Sequence, residues 1–196
     1  MTVHYVNRQS ELPIQPFFLS RVSSRAFSDE RISEEELLTI FEAARWAPSS
    51  YNNQPWRFIY VRRGDNEWNL LFDTLVEFNK SWCQRADTLV LILSRNTFTH
   101  NEKPAPTSRL DTGAAWMSLS LEAHFQNIIA HGMEGFDYHA ARKNFNIPDA
   151  YTIEAMAALG KPGKIDDLPE NLQEKEIPSL RKPLKEIISK GTFNFH

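Results

Sequence analysis

One cysteine, Cys83, occurs in 196 residues. An internal disulfide framework is excluded, and a reducing compartment suits such a chain. Nothing beside Cys83 marks an activated nucleophile, so it reads as a small buried or half-buried hydrophobe. Long apolar runs are absent too. Leu89 to Leu93 is among the longest, far short of a bilayer span. Basic charge is not in excess: the net charge is −3 and the pI near 6.1, which speaks against a nucleic-acid partner. No charged segment followed by an apolar one opens the chain. The expectation is a cytoplasmic protein without a secretory signal or a membrane partner. Several catalytic signatures are also missing: G-x-G-x-x-G after a strand, the P-loop, H-E-x-x-H and G-x-S-x-G.

What remains is ordinary globular material, 41% hydrophobic and 24% charged, enough for one domain with a real core. Ser33 and Glu36 have capping-box spacing, and Leu37, Leu38, Phe41, Ala44 and Ala47 then recur at helical spacing up to Pro48. Trp56 to Val61 reads as a strand, and Trp68 to Leu75 as a short helix. Thr88 to Ser94 is a continuous apolar run, the pattern of a central strand buried on both faces. Residues 96 to 108, with Pro104 and Pro106, read as a loop. Leu110 to Ala130 predicts a long helix, apolar around much of its circumference, suited to a central position such as a dimer interface. Gly132 stands where its cap is expected. Tyr138 to Phe145 predicts another helix. Tyr151 to Leu159 is ambiguous, although Gly160 and Pro162 fit a strand ending in a turn. Residues 181 to 196 are too poor in apolar side chains to pack alone, yet end in Phe193 and Phe195. Interleaved strands and helices indicate an α+β or α/β domain.

Three polar segments attract chemistry. Arg21, Val22, Ser23, Ser24 and Arg25 place two guanidinium forks and hydroxyls together, good donors to a phosphate or a carbonyl-rich ring, or merely a solvated basic turn. Ala47 to Trp56 packs hydroxyls and amides between a helix end and a strand start. That suits a heterocycle edge with alternating donors and acceptors, and equally a polar turn. Met133 to Asp137 contains Gly135, which would let backbone approach a ligand, or would serve a cap and turn. His124 and His131, seven apart on the predicted long helix, have no carboxylate or cysteine cluster beside them. They read as solvent-facing or hydrogen-bonded rather than as metal ligands, and no metal is expected.

In this order and spacing the three segments resemble the nitroreductase family of flavoproteins. The run from Ala43 to Phe58, AARWAPSSYNNQPWRF, is close to that family's signature. The R-x-S-x-R-x-F element upstream, M-E-G-F-D downstream, the Leu159-Gly160-Lys161-Pro162 turn and the late Arg181-Lys182-Pro183-Leu184 also match. The likeness covers roughly residues 18 to 190.

The resemblance implies an α+β sandwich, a mostly antiparallel sheet flanked by helices, built as an intertwined homodimer. It implies one FMN-binding domain over residues 1–196, with an arm at about 1–19 and a tail at about 181–196 that wraps the partner. FMN would lie at the dimer interface. Arg21 and Ser23, with Val22 between them, would sit at the phosphate and ribityl end, and Arg25 at the N1/C2 edge. Asn52 would meet the pyrimidine side of the ring, with Ser50 and Gln54 nearby. Glu134 and Gly135 would lie at the flavin face, the Gly135 amide near N5, and Arg181 would close over the phosphate. The family often carries a second basic residue where Val22 stands, and a lysine or arginine where Ser179 stands; on this count the phosphate clamp is light. The implied activity is electron transfer from NAD(P)H through FMN to a small organic acceptor such as a nitroaromatic or quinone, by a ping-pong mechanism, with no side chain acting as acid, base or nucleophile. Dehalogenation, enoyl or aldehyde reduction on the same scaffold, and flavin binding without turnover are the alternatives.

Overall fold

The computed structural model describes residues 8–195; the first seven residues of the expected arm, and His196 of the tail, lie outside them. The described chain runs α1 (Phe17–Ser20), α2 (Glu34–Arg45), β1 (Trp56–Arg62), α3 (Trp68–Phe72), α4 (Glu77–Cys83), β2 (Thr88–Arg95), α5 (Ser108–Phe125), β3 (Ile129–Met133), α6 (Tyr138–Asn144), β4 (Tyr151–Gly160) and α7 (Glu170–Gln173). The strands form one sheet in the order β1-β2-β4-β3, antiparallel throughout. The expected strands at 56–61 and 88–94 are present, the ambiguous run at 151–159 is a strand, and the capping box forms as read. Ser33 Oγ accepts from the Glu36 amide at 3.2 Å, and Glu36 Oε2 accepts from the Ser33 amide at 2.8 Å.

The inner strand β2 divides the core. Leu89, Leu91 and Leu93 point to one side, where they meet Trp82, Cys83, Phe136 and Met156. Val90 and Ile92 point to the other, where α2 and α5 contribute Leu37, Ile40, Ala115, Leu119 and Ala123. A strand with helices on both faces can bury every side chain, and Thr88 to Ser94 is buried throughout. Cys83 is fully buried, its sulfur 3.7 Å from Met133 Sδ, and burial pushes its thiol pKa upward. It is a core residue.

The long helix is shorter than its composition suggests. It ends at Phe125, not Ala130. Asn127 adopts a left-handed φ of 54°, and the Ile128 amide turns back to Ala123 O at 2.8 Å, closing the helix. Ile129 and Ala130 then pair with β4. Gly132 is therefore no cap but a strand residue. An added Cβ there would stand 3.1 Å from the Trp116 ring. His124 and His131 are likewise not on one helix face: the second lies in β3. The helix expected at 68–75 stops at Phe72.

One side of α5 is only partly covered by the described residues, the Phe17 ring meeting Phe125 at 5.4 Å between centroids. Leu110, Met117 and Phe125 are exposed and Leu121 is half-buried. At about 100° per residue these positions, with Ala114, fall within a sector of about 80°. The tail leaves Ile187, Ile188 and Phe193 exposed as well. No helix among the described residues is long and apolar enough to cross a membrane.

Candidate active site

The chain leaving α1 is extended through residues 21–26 and is pinned by Phe27. That ring is buried against Gly160, where a Cβ would stand 2.5 Å from Phe27 Cδ1. At Gly163 a Cβ would stand 2.4 Å from the Phe27 backbone. The Ser28 amide donates to Lys161 O at 2.9 Å, and the Gly163 amide to Ala26 O at 2.7 Å. The R-x-S-x-R-x-F element and the Leu159–Pro162 turn are thus one unit, joined where only glycine permits the approach. Lys161 extends the unit to the capping box. Its ammonium, with the Ser33 amide, holds the Glu36 carboxyl below the usual range.

This clamp turns a row of donors into a cavity of about 320 Å³. Arg21, Val22, Ser23, Arg25 and Arg181, all read from the sequence, line it together. So do Arg8, Lys175, Glu176 and His131, which sequence reasoning missed. Arg8 Nη1 donates to Arg21 O at 2.8 Å and to Leu19 O at 3.2 Å. Arg21 Nη1 donates to Ser23 Oγ at 3.2 Å, and Arg181 Nη1 turns back on Ser179 Oγ at 3.1 Å. Among the described residues neither Arg21, Lys175 nor Arg181 has a carboxylate partner; Lys175 lies 5.6 Å from the Phe78 ring centroid. Burial, and then the charges of Arg8 and Arg181, lower the basicity of Arg21. Like charges held around one void are a site for an anion. Arg8 and Lys175 add positive charge to a lining that already holds Arg21, Arg25 and Arg181.

Arg25 differs from the others. Its Nη1 is 3.2 Å from Glu176 Oε1, and its guanidinium carbon lies 5.9 Å from the Trp82 ring centroid. Its Nε is buried and has no acceptor. Arg25 lines the cationic cavity with a guanidinium fork, and donors of this kind fit a group with both phosphate and carbonyl oxygens, so the residues present suit FMN at this point. Beside it His131 Nδ1 lies 3.1 Å from Ser24 O. Burial, the largest influence, lowers the His131 pKa from its ordinary value.

The second polar segment is elsewhere. Ser50 to Asn52 forms a single 3₁₀ turn, with left-handed φ of 52° at Tyr51, 52° at Asn52 and 48° at Gln54. Asparagine tolerates this region better than most residues. The Ser50 amide donates to Asp111 Oδ2 at 3.1 Å, and Gln54 Nε2 to Asn52 O at 3.1 Å. Asp111 stands in the first turn of α5. The cationic cavity is tied to the other end of that helix, where Ser20 Oγ is 2.8 Å from His124 Nε2. Thirteen residues at 1.5 Å each separate these anchors by roughly 20 Å. Within one chain Ser50, Asn52 and Gln54 do not line the cavity, and neither do Glu134 and Gly135. Glu134 is exposed after β3. Gly135 has a reason inside the chain: a Cβ there would stand 2.6 Å from Asn79 Nδ2, and its carbonyl accepts from Asn79 Nδ2 and the Val76 amide, each at 3.0 Å. Among the described residues no group of three or more His, Cys, Asp or Glu could hold a metal ion.

Comparison with known proteins identifies the family. The model of the nitroreductase family matches residues 19–78 and 66–161. A crystal structure described as an oxidoreductase containing FMN superposes with a TM-score of 0.92 at 41% identity, covering 97% of this chain and 98% of its own. A Streptomyces coelicolor protein provisionally named NADH dehydrogenase/NAD(P)H nitroreductase is 26% identical over 161 residues, 72% of this chain and 81% of that protein. An oxygen-insensitive NADPH nitroreductase of Helicobacter acinonychis is 42% identical over 62 residues, 32% of this chain and 29% of that protein. With the family model spanning more than half of the sequence, the chain belongs to the nitroreductase family of oxidoreductases.

Proposed function

We propose that this chain is an FMN enzyme that carries electrons from NAD(P)H to a small organic acceptor, such as a nitroaromatic or a quinone. The observation that carries this reading is the cavity in which Arg8, Arg21, Arg25, Lys175 and Arg181 face one void with a single carboxylate, Glu176, among them. FMN, when bound, supplies the redox chemistry between donor and acceptor. The protein's part is to bind, orient and tune. Arg21, Ser23 and Arg181, with Arg8 and Lys175, hold the phosphate, and Val22 gives an apolar wall. Arg25 presents its guanidinium to the carbonyl edge, where a cation favours negative charge on reduction. Glu134 and Gly135 stand at the ring.

A homodimer completes this arrangement. Two α5 helices packed antiparallel along the stripe of Leu110, Met117, Leu121 and Phe125 bring the Asp111 end of one against the His124 end of the other. The partner subunit's Ser50, Asn52 and Gln54 then reach the ring edge. The tail at about 181–196, with Ile187, Ile188 and Phe193 exposed on its own chain, covers the partner. On this reading residues 1–196 are one domain with an arm at about 1–19, and the buried free thiol of Cys83 suits the cytoplasm.

Titration of apo-protein with FMN should give about one FMN per chain, with a shifted spectrum. NADPH should bleach it anaerobically, and a quinone or nitroaromatic should restore the colour. Initial rates at several acceptor concentrations should give parallel double-reciprocal lines, because donor and acceptor alternate at one site. FMN that leaves the protein spectrum unchanged at micromolar concentration would overturn the reading. Intersecting lines would remove the shared site but not the cofactor.

A further inference from the structure

Glu176 is an anion built into an anion site, and that placement needs a reason. Its side chain is 2% exposed. Taking a carboxylate out of water costs several kcal/mol unless donors satisfy it. Three do. Oε2 accepts from Ser24 Oγ at 2.6 Å and from the Arg25 amide at 3.1 Å, and Oε1 accepts from Arg25 Nη1 at 3.2 Å. Two of these contacts fix the backbone loop; the third fixes only the guanidinium. The Trp82 ring lies on another side of Arg25, and His131 lies 4.6 Å from that ring, so the guanidinium has a floor and a brace. The rest of the guanidinium, lining the cavity, is the donor that this bracing leaves to aim.

We infer that Glu176 is the positioning residue for Arg25: it fixes the direction of the guanidinium and offsets its charge, and so sets how strongly the cavity favours the reduced form of the bound group. The inference rests on the FMN reading above. It assigns a tuning role to a residue in the polar stretch after α7, where neither motif nor periodicity marks one.

Glu176→Gln separates bracing from loop anchoring. The amide oxygen can keep both contacts of Oε2, while the amide nitrogen faces Arg25 Nη1 donor to donor. The loop stays held, and the guanidinium is released without its counter-charge. In the FMN-loaded protein the ratio of reduced to oxidised flavin at a fixed potential should rise about tenfold, a positive midpoint shift of about 30 mV for a two-electron couple. In an Arg25→Gln background the same substitution should give a clearly smaller shift, that of the lost carboxylate charge alone, since there is no guanidinium to release. Glu176→Asp keeps the charge and shortens the reach; its shift should have the same sign and be smaller, and it serves if Glu176→Gln fails to fold. A wild-type midpoint in the variants that fold, or an equal shift without Arg25, overturns the inference. Failure of both variants to fold would assign Glu176 to the fold alone and overturn it as well. If the wild-type protein takes up no FMN, the FMN reading fails instead.

Discussion

The two ends of α5 present opposite solutions to the same chemical task. At the His124 end, four separate stretches of chain converge: the arm at Arg8, the loop at 21–25, β3 at His131, and the segment from Lys175 to Arg181. Their charges repel, and they stay together because Phe27, Gly160 and Gly163 fasten the loop and Glu176 fastens the late segment. At the Asp111 end, one local turn offers Ser50, Asn52 and Gln54, with Tyr51 83% exposed. One end is a half-open receptacle made by long-range packing. The other is a surface element that needs something brought to it. In a chain with an only partly covered stripe along the same helix, that contrast argues for a second copy rather than for a site within one molecule.

The largest effect should come from undoing the fastening. Phe27 is 2% exposed; its ring fills the space left by Gly160 and its backbone lies against Gly163. Phe27→Ala should cost about 3–5 kcal/mol by denaturant unfolding. It should abolish FMN uptake at concentrations that saturate the wild type, because the donor row loses its anchor. Unimpaired FMN affinity in a destabilised variant would show that the cavity does not depend on this clamp.

Next in size is the charge itself. Arg21→Ala removes one charge-assisted contact, worth on the order of 1.5–3 kcal/mol, or roughly a 10- to 150-fold weaker FMN dissociation constant. The apo-protein should not lose stability, since Arg21 is pressed by burial and by Arg8 and Arg181. Weaker FMN binding with an unharmed apo-protein distinguishes a binding residue from a structural one. A matching loss of apo-protein stability would put Arg21 in the second class.

These predictions bear on what the sequence could disclose. Strands β1 and β2 were legible because they are apolar and bounded by turns, β4 only as an ambiguous run, and α2 because its capping box is local. The end of α5 was not, because Ile128 and Ile129 extend an apolar run that a helix or a strand could use equally well. Only pairing with β4 decides between them. In the site, Arg21, Ser23 and Arg25 announce themselves by spacing, and Arg181 by resemblance. Arg8, Lys175 and Glu176 are isolated charges in polar stretches. Their convergence is a property of tertiary packing, with no local period to betray it. Gly135 shows the reverse case, a motif residue for which the chain supplies a packing reason against Asn79.

A smaller effect concerns pH. Burial lowers the pKa of His131 and, with Arg21 nearby, that of His124. A folded pKa below the unfolded value means that the unfolded chain takes the proton first as pH falls. The stabilising share of each group is complete above about pH 6.5 and is lost on acidification through that value, with a slope of at most about 1.4 kcal/mol per pH unit for each. Unfolding free energies from pH 7.5 to 5.5 should therefore fall, and less steeply in His131→Gln. An identical pH slope in the variant would remove His131 from this account.

The smallest effect, at most a factor of two, tests the comparison of the two ends most directly. If each flavin is held by Arg21 of one chain and Asn52 of the other, Arg21→Ala and Asn52→Ala homodimers each carry two defective sites. In a hybrid dimer with one subunit of each kind the defects redistribute. One site receives both substitutions, and the other receives neither. The hybrid should bind half the wild-type FMN at wild-type affinity and recover about half the activity. If both residues served a flavin within one chain, every site in the hybrid would keep one defect and nothing would be recovered. Hybrids separated by differently charged tags, with bound flavin counted per dimer, give the answer without reference to any acceptor. Recovery of half the sites would establish that the 50–54 turn acts across the interface. No recovery would require the turn to act on its own chain despite roughly 20 Å of helix between the anchors, or not at all.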